Sequence, residues 1–434
     1  MVPVMRILLV CHGLPPDSVG GVEQHVDGLA RALVSAGHDV EIFARAHLPG
    51  TEQGRWTTLP GDNPRIHRVA YRWENVRELA DIYRCEPMAA AMASFLAARA
   101  AAGVRFDVAH VHHLTGMSTH AVSALVEQRV PVVLTLHDYW LFCPRGQMFH
   151  HRGEACVAAT VARCSECLQS TFPWWFGDGR GPQEVARVHA SALATLALAS
   201  RLVVPSARAI PPFTELGVAR ERFVVVENGV DTDRLHDLPM PTAGPGPLRV
   251  GYLGTVMPSK GLHVLLDAMA GLPRGMAELH VHGNVVPYHG DESYANRCFG
   301  RLQPGSAVHY HGPYGLGELP ALLAGIDVLA APALWHEAFG LTVREALAAG
   351  RPVLVSAIGG LQDAVADGHA GRVLPPGDVP AWRDALLRLG TSRDEVVRMA
   401  RHCRPLARGF PAMAADLVAV YRDAKSDPRV HQTT

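Results

Sequence analysis

Short runs of Val, Leu and Ile, each followed by an Ala- and Leu-rich helical stretch, recur along this chain, and the pattern restarts after one break. The runs do not alternate apolar with polar, so their strands need cover on both faces, as in a parallel sheet flanked by helices. Before the break the predicted strands are Arg6 to Val10, Asp39 to Ala44, Phe106 to Val111, Val130 to Leu136, Arg201 to Pro205 and Phe223 to Val226. Gly20-Gly21 interrupts the chain ahead of a helix from about Val22 to Ala36. Leu238 to Pro247 then carries four prolines and two glycines and reads as a linker. Beyond it, strands are expected at Leu248 to Leu253, Glu278 to Val281, Ala307 to Tyr310, Val328 to Ala331, Pro352 to Ser356 and Gly371 to Leu374. Helices fall at Leu262 to Ala270, Leu319 to Ala324 and Thr342 to Ala349. The predicted class is α/β, with two doubly wound Rossmann-like domains and a cleft between them where the strands end. The expected boundaries are 1–237, a linker at 238–247, and 248–409. A last helix, about Pro411 to Ala424, opens a segment 410–434 that returns to the first domain and ends in a tail.

Composition narrows the function. Apolar residues make up 48% of the 434 and charged residues 19%, the balance of a folded chain rather than a disordered one. A net charge of −1 supplies no overall basic field for nucleic acid or an anionic membrane, although local membrane contact stays open. The Ala-rich stretches Ala89 to Val104 and His189 to Ser200 are too short or carry an Arg, so no spanning helix is expected. The run Ile7 to Val10 is too brief for a signal-peptide core, and the expected location is the cytoplasm. Of 40 basic residues only two are Lys, Lys260 and Lys425, and Lys425 falls in a polar tail. A site that requires a compact ammonium would explain why Lys260 is not Arg.

The sharpest local signal is His336-Glu337-Ala338-Phe339-Gly340-Leu341-Thr342-Val343-Arg344-Glu345-Ala346-Leu347, followed by Gly350-Arg351-Pro352-Val353. Phe339-Gly340-Leu341 stands at the start of a helix, where free N–H groups and the dipole favour phosphate. Glu337 precedes that turn and Glu345 follows it by two helical turns, and each can accept hydrogen bonds from vicinal hydroxyls, one set on a sugar and one on a ribose. Taken alone, two glutamates at this spacing are as consistent with an ordinary amphipathic helix.

The full string resembles retaining glycosyltransferases of the two-Rossmann-domain architecture (GT-B), specifically family 4 (glycosyl transferases group 1). The resemblance spans nearly the whole chain. It takes in Gly20-Gly21, His137-Asp138, Val204-Pro205-Ser206, Asn228-Gly229-Val230-Asp231, Gly254 to Gly261, and Gly359-Gly360 with Gly368 and Gly371. It implies catalytic roles for His137, Glu337 and Lys260. It implies donor binding by Gly20, Gly21, Thr255, Lys260, Phe339, Gly340, Leu341 and Glu345. Lys260, in the turn Gly254 to Gly261, would neutralise a diphosphate leaving group without a divalent ion. Thr255 stands where the family often has Arg. His137 would hydrogen-bond the donor sugar, and Gly20-Gly21 would allow close backbone approach to sugar or phosphate. Asp231-Thr232-Asp233 looks superficially like a metal motif of another glycosyltransferase fold, but its place beside Asn228-Gly229 reads as a turn and no catalytic metal is expected.

The eight cysteines divide unevenly. Cys11, Cys85, Cys298 and Cys403 read as small core residues. Cys143, Cys156, Cys164 and Cys167 crowd into an insertion of the first domain at about 141–170. They are sufficient for a closed structural zinc site, with His150 and His151 as substitute ligands and free thiols as the other reading.

The expected activity is metal-independent transfer of a sugar, with retention, from a UDP- or GDP-sugar to a hydroxyl acceptor such as a small aglycone, a saccharide or a lipid carrier. The nucleotide sugar is a co-substrate and structural zinc the one candidate cofactor. A nucleotide-sugar 2-epimerase of the same fold and a non-catalytic sugar-nucleotide sensor are the alternatives.

Overall fold

The computed structural model describes residues 3–176, 179–300, 302 and 305–428, so positions 429–434 of the expected tail lie outside the described residues. The chain forms two compact units. One holds residues up to Gly146, Ala158–Gly229 and the chain from Phe410 on, and the other holds Gln147–Val157 and Val230–Gly409.

The first unit is built on an eight-stranded sheet. Its strands are β1 (Arg6–Cys11), β2 (Asp39–Ala46), β3 (Trp56–Thr58), β4 (Arg65–Ala70), β5 (Val108–Val111), β6 (Val132–Thr135), β7 (Arg201–Val204) and β8 (Phe223–Val225). The order is β3-β4-β2-β1-β5-β6-β7-β8, parallel throughout except for β3, which pairs antiparallel with β4. Chain direction across the sheet reverses between β1 and β5, which makes that junction the topological switch point. Strands β1, β5 and β6 are almost wholly buried, in keeping with their unbroken apolar sequences. Helices Gly21–Ser35 and Phe410–Lys425 cover one side, where Val26, Leu29 and Leu33 meet Met413, Leu417 and Tyr421 over Ile7, Leu9 and Val108. Lys425, expected in a polar tail, instead ends the last helix and pairs with Asp107 at 2.5 Å.

The second unit repeats the plan with β9 (Leu248–Leu253), β10 (Ala277–His282), β11 (Val308–Gly312), β12 (Val328–Ala331), β13 (Val353–Ser356) and β14 (Gly371–Leu374). The order β11-β10-β9-β12-β13-β14 is all parallel, and its switch point lies between β9 and β12. Val250, Leu265, Val281, Val328, Leu354 and Trp382 are central to its core. The proline-rich stretch 238–247 lies inside this unit. Buried Arg351 donates to the carbonyl oxygens of Leu323 (2.6 Å) and Pro239 (2.5 Å), and Arg404 donates to that of Leu238. A guanidinium carries several donors in a rigid fork, which suits it to pinning a segment that offers carbonyls but few N–H groups.

Segment Gln147–Val157 departs from its sequence neighbours and joins the second unit. It closes on itself as a small antiparallel loop through Phe149 and Ala155, with Cys156 N donating to Met148 O at 2.7 Å. Gln147 ties it down, accepting from the Tyr288 hydroxyl at 3.0 Å and donating to the Met257 sulfur at 3.5 Å.

Candidate active site

The residues expected to hold a donor gather at the switch point of the second sheet. Strand β9 ends at Leu253 and runs into Gly254 and half-buried Thr255, whose carbonyl accepts from the Tyr252 hydroxyl at 3.0 Å. Backbone bonds from Gly254 N to His282 O and from Val256 N to Asn284 O fix this loop against the end of β10. One turn later Lys260 closes the short helical turn Pro258–Lys260, ahead of helix Leu262–Ala270. Gly261 between them has φ +71°, and a Cβ there would lie 1.9 Å from the carbonyl oxygen of Pro332. Glycine is therefore demanded twice, by the dihedral angle and by the close approach of the chain after β12.

That chain leads to Glu337. Its carboxylate meets the Lys260 ammonium at 2.7 Å and 3.0 Å and also accepts from the indole N–H of Trp335 at 3.1 Å. The ammonium lies 5.3 Å from the centre of the Trp335 ring, a favourable placement over its face. Backbone of the next loop holds Glu337 from behind. Gly360 N donates to Glu337 O at 2.7 Å, and a Cβ on Gly359 (φ +54°) would come within 2.4 Å of that same oxygen. Gly359-Gly360 thus supports the acid through its backbone.

Helix Leu341–Ala348 begins directly after this loop. Gly340 precedes it in the left-handed region and no side chain caps it; Val343 N and Arg344 N donate to the Gly340 carbonyl, which leaves the N–H groups of Leu341 and Thr342 ahead of the helix's own ladder. Phe339 is buried, and the Arg344 guanidinium sits 4.5 Å from its ring centre. Glu345, four residues into the helix, is half-buried. Loss of hydration raises its carboxyl to about 7, and the Asp231 carboxylate adds to the rise. Glu345 in turn helps to hold the Tyr314 hydroxyl protonated, although burial is the larger cause. Asp231 caps helix Thr232–Leu235 by accepting from Arg234 N at 3.3 Å, which is the turn-making role its sequence suggests.

A cavity of about 260 Å³ lies nearby, walled by Phe149, Pro258, His263, Leu266, Tyr294 and Leu334, but neither Lys260 nor Glu337 lines it.

In the first unit His137 stands two residues beyond β6, half-buried, with Nε2 3.2 Å from Nδ1 of His112. Burial first, and then the neighbouring imidazoles, hold it well below the usual histidine range, so it is neutral at pH 7. Gly20 is the extended residue preceding helix Gly21–Ser35. A Cβ on Gly20 would lie 2.6 Å from Oε2 of buried Glu23, which accepts from the Ser18 hydroxyl at 2.5 Å through its other oxygen. Gly20 makes room for that acid. Glu23 has no sequence signal beyond its place one turn after Gly20.

Cys11, Cys85, Cys298 and Cys403 are buried core residues. Burial pushes the Cys11 and Cys403 thiols up to about 12, so neither ionises near neutrality. In the insertion, Cys164 and Cys167 lie one turn apart on helix Val161–Thr171, and Cys143 follows β6 in a turn. Cys156 belongs to the segment that joins the second unit.

Known proteins align with this arrangement. The family model described as "Glycosyltransferase Family 4" matches residues 19–234. A second, "Glycosyl transferases group 1", matches residues 247–392. A glycogen synthase of Mycobacterium tuberculosis is 29% identical over 99% of this chain and 97% of its own length. The MMP alpha-(1->4)-mannosyltransferase of Mycolicibacterium hassiacum is 29% identical over 97% and 98%. The catalytic domain of Starch Synthase IV from Arabidopsis thaliana, bound to ADP and acarbose, superposes with a TM-score of 0.69 at 16% identity, covering 98% of this chain and all of that one. Among the described residues no helix is long and apolar enough to cross a membrane.

Proposed function

The chain is a glycosyltransferase of family 4 (group 1) with the GT-B fold, and we propose that it moves a sugar with retention from a UDP- or GDP-sugar to a hydroxyl acceptor, without a catalytic metal. The observation that carries this reading is the pair Lys260–Glu337 at the second switch point, immediately ahead of the uncapped helix Leu341–Ala348. An ammonium and the first N–H groups of that helix, with its dipole, offer positive charge to a diphosphate. Glu337 offers acceptors to the hydroxyls of the transferred sugar, and Glu345 to the ribose. Without donor, Lys260 and Glu337 neutralise one another. With donor, the ammonium turns to the diphosphate and the carboxylate to the sugar.

Transfer on one face then needs no protein nucleophile. The bond from the anomeric carbon to the phosphate oxygen breaks, the bond to the acceptor oxygen forms, and the acceptor proton passes to the departing phosphate. Lys260 and the helix N–H groups stabilise the charge that builds on that phosphate. His137, neutral, hydrogen-bonds the donor sugar, with Gly20 and Gly21 admitting it close to backbone. Thr255, Phe339, Gly340 and Leu341 shape the loops that cradle the donor. The second unit accordingly holds the nucleotide and the first receives the acceptor. A cytoplasmic setting, where thiols stay reduced, accompanies this reading. There, Cys143, Cys156, Cys164 and Cys167 serve as ligands of a structural zinc rather than as disulfides.

The test is a panel of nucleotide sugars, each followed by thermal shift, by release of nucleoside diphosphate and by the anomeric configuration of the product. One sugar should stabilise the protein by about 2.7 kcal/mol at 100 times its dissociation constant. With an acceptor present it should give a product of unchanged configuration. Conversion of the sugar without transfer would identify an epimerase, and binding with no release a sensor.

A further inference from the structure

Strands β2 and β4 run side by side in the first sheet, and at their carboxyl ends they bring Arg45 next to Tyr71. Arg45 Nε donates to the carbonyl of His12 at 2.7 Å, which turns the guanidinium towards the end of β1. The guanidinium carbon lies 5.4 Å from the centre of the Tyr71 ring and 5.1 Å from that of Trp73, in the turn Trp73–Asn75. The side chain is therefore held, yet its charge is unanswered. Arg6 of β1 and Arg65 and Arg68 of β4 each face a carboxylate, on Asp39, Asp62 and Asp17. Among the described residues Arg45 has no carboxylate within ion-pair distance, and its Nη1 is buried without a hydrogen-bond partner. Glu23 acts on it only through space, since that acid accepts from Ser18 and faces His12 Nε2 at 3.5 Å. Tyr71 is 2% exposed, and its hydroxyl is a second buried donor without a partner. The two donors border one spot. A Cβ on Gly116 (φ +65°) would come within 3.0 Å both of Arg45 Nη1 and of Tyr71 Cζ, the ring carbon that bears the hydroxyl. A largely desolvated cation and a buried hydroxyl, each lacking an acceptor, are costly to maintain. They stand at the strand ends on the side where sheets of this kind take their ligands.

We propose that Arg45 and the Tyr71 hydroxyl form a subsite for an anionic group, a phosphate or a carboxylate, carried by the sugar acceptor. The substrate class follows: the hydroxyl acceptor is an acidic molecule rather than a neutral saccharide or aglycone. A guanidinium presents paired N–H donors that match two oxygens of either group, and the phenol adds a donor from a second direction. Burial pushes the Tyr71 hydroxyl up to about 12, so it keeps its proton at neutral pH. Arg45 is half-buried, which leaves part of the guanidinium open to a ligand. Exposed Trp73 lays an apolar ring beside the same group, a surface for the uncharged part of the acceptor. The anion takes no part in bond making or breaking; it fixes where the acceptor hydroxyl stands. That the anion belongs to an acceptor rests on the transferase reading, whereas the anion subsite does not.

The test needs no known acceptor. Full-length protein is treated with phenylglyoxal, which modifies accessible guanidinium groups, and the label at Arg45 is followed by peptide mass spectrometry as inorganic phosphate is added. At phosphate about ten times its dissociation constant, labelling of Arg45 should slow about 10-fold, in proportion to the vacant fraction. The label at Arg68, already paired with Asp17, should not respond. Tyr71→Phe keeps the ring against Arg45 and should need about 10-fold more phosphate for half-protection, the loss of one hydrogen bond to a charged group. Glucose 6-phosphate and glucuronate tell which anion is preferred, and glucose should not protect. Failure of Arg45 to take the label would overturn the proposal. So would labelling indifferent to phosphate, protection by glucose as strong as by phosphate, or unchanged half-protection in Tyr71→Phe. With an acceptor in hand, Arg45→Gln should raise its KM by about 10–100-fold while the dissociation constant of the donor stays that of the parent. An unchanged KM would count against the subsite. Phosphate protection of Arg45 in a protein that transfers no sugar would refute the transferase reading and leave the anion subsite standing.

Discussion

At the scale of single residues, scarcity carried more information than pattern. Lys260 stands out because Arg occupies nearly every other basic position, and it meets Glu337 at 2.7 Å. That the two are partners was not legible, since 77 residues separate them and only the parallel order of β9 and β12 joins their loops. The pairing makes their contributions interdependent. Glu337→Gln and Lys260→Ala should each lower kcat by about 10²–10³. Measured as a cycle, the double variant should lose far less than the product of the two, because each single change also strands its partner. Strict additivity would mean that the pair does not act as a unit. Lys260→Arg should recover only part of the rate, since a planar fork does not reproduce a point charge.

Glu345 yields a pH dependence with a definite sign. Its carboxyl lies at about 7 rather than the ordinary 4.5, so between those values the folded protein holds a proton that the unfolded chain has released. Stability attributable to this group therefore declines as pH rises through that window and is level above it. Donor binding should run the other way, because an ionised carboxylate is the better acceptor for two ribose hydroxyls. Affinity for a nucleotide sugar, whose diphosphate does not titrate in this range, should tighten from about pH 6 to about pH 8. In Glu345→Gln the slope should vanish. An unchanged slope would assign the titration to another group.

Among the elements, strands and helices with long apolar runs were the most readable. Leu248–Leu253, Leu262–Ala270, Leu319–Ala324, Val328–Ala331 and Gly371–Leu374 fall where the sequence places them. Strands β3 and β4 were missed. Trp56–Thr58 is three residues long and mostly exposed, and Arg65–Ala70 carries two arginines and a histidine, so neither shows a buried run. His67 is nevertheless buried, with Nε2 2.9 Å from the Glu41 carboxylate, which no local pattern announces. The glycines after β9 and before β14 were visible as motif letters, but their cause is steric. Gly359→Ala should cost about 1–3 kcal/mol in strain at φ +54° and press on the backbone of Glu337. Equilibrium denaturation should show that loss together with a fall in kcat larger than the stability change explains. Full activity in Gly359→Ala would show that Glu337 does not depend on this support.

On the scale of the whole molecule, restarting periodicity after a proline-rich stretch was enough to predict two doubly wound sheets, and the structure has two. Less legible was which unit each peripheral segment joins. Gln147–Val157 lies within the sequence of the first unit and clusters with the second, held by Gln147, Met257 and Tyr288, a choice made by side chains 110 and 141 residues away. Added magnesium should not raise transfer and EDTA should not abolish it, because Lys260 and the helix N–H groups supply the charge. A strict requirement for Mg²⁺ would contradict that.

The most direct test of the account is single-turnover release of nucleoside diphosphate from the preferred nucleotide sugar by the parent protein and by Lys260→Ala, at saturating donor and acceptor. The account predicts that the variant retains its fold and binds donor, yet releases product about 10²–10³ times more slowly. Release within a few-fold of the parent rate would show that the ammonium does not stabilise the leaving group, and would contradict the central claim.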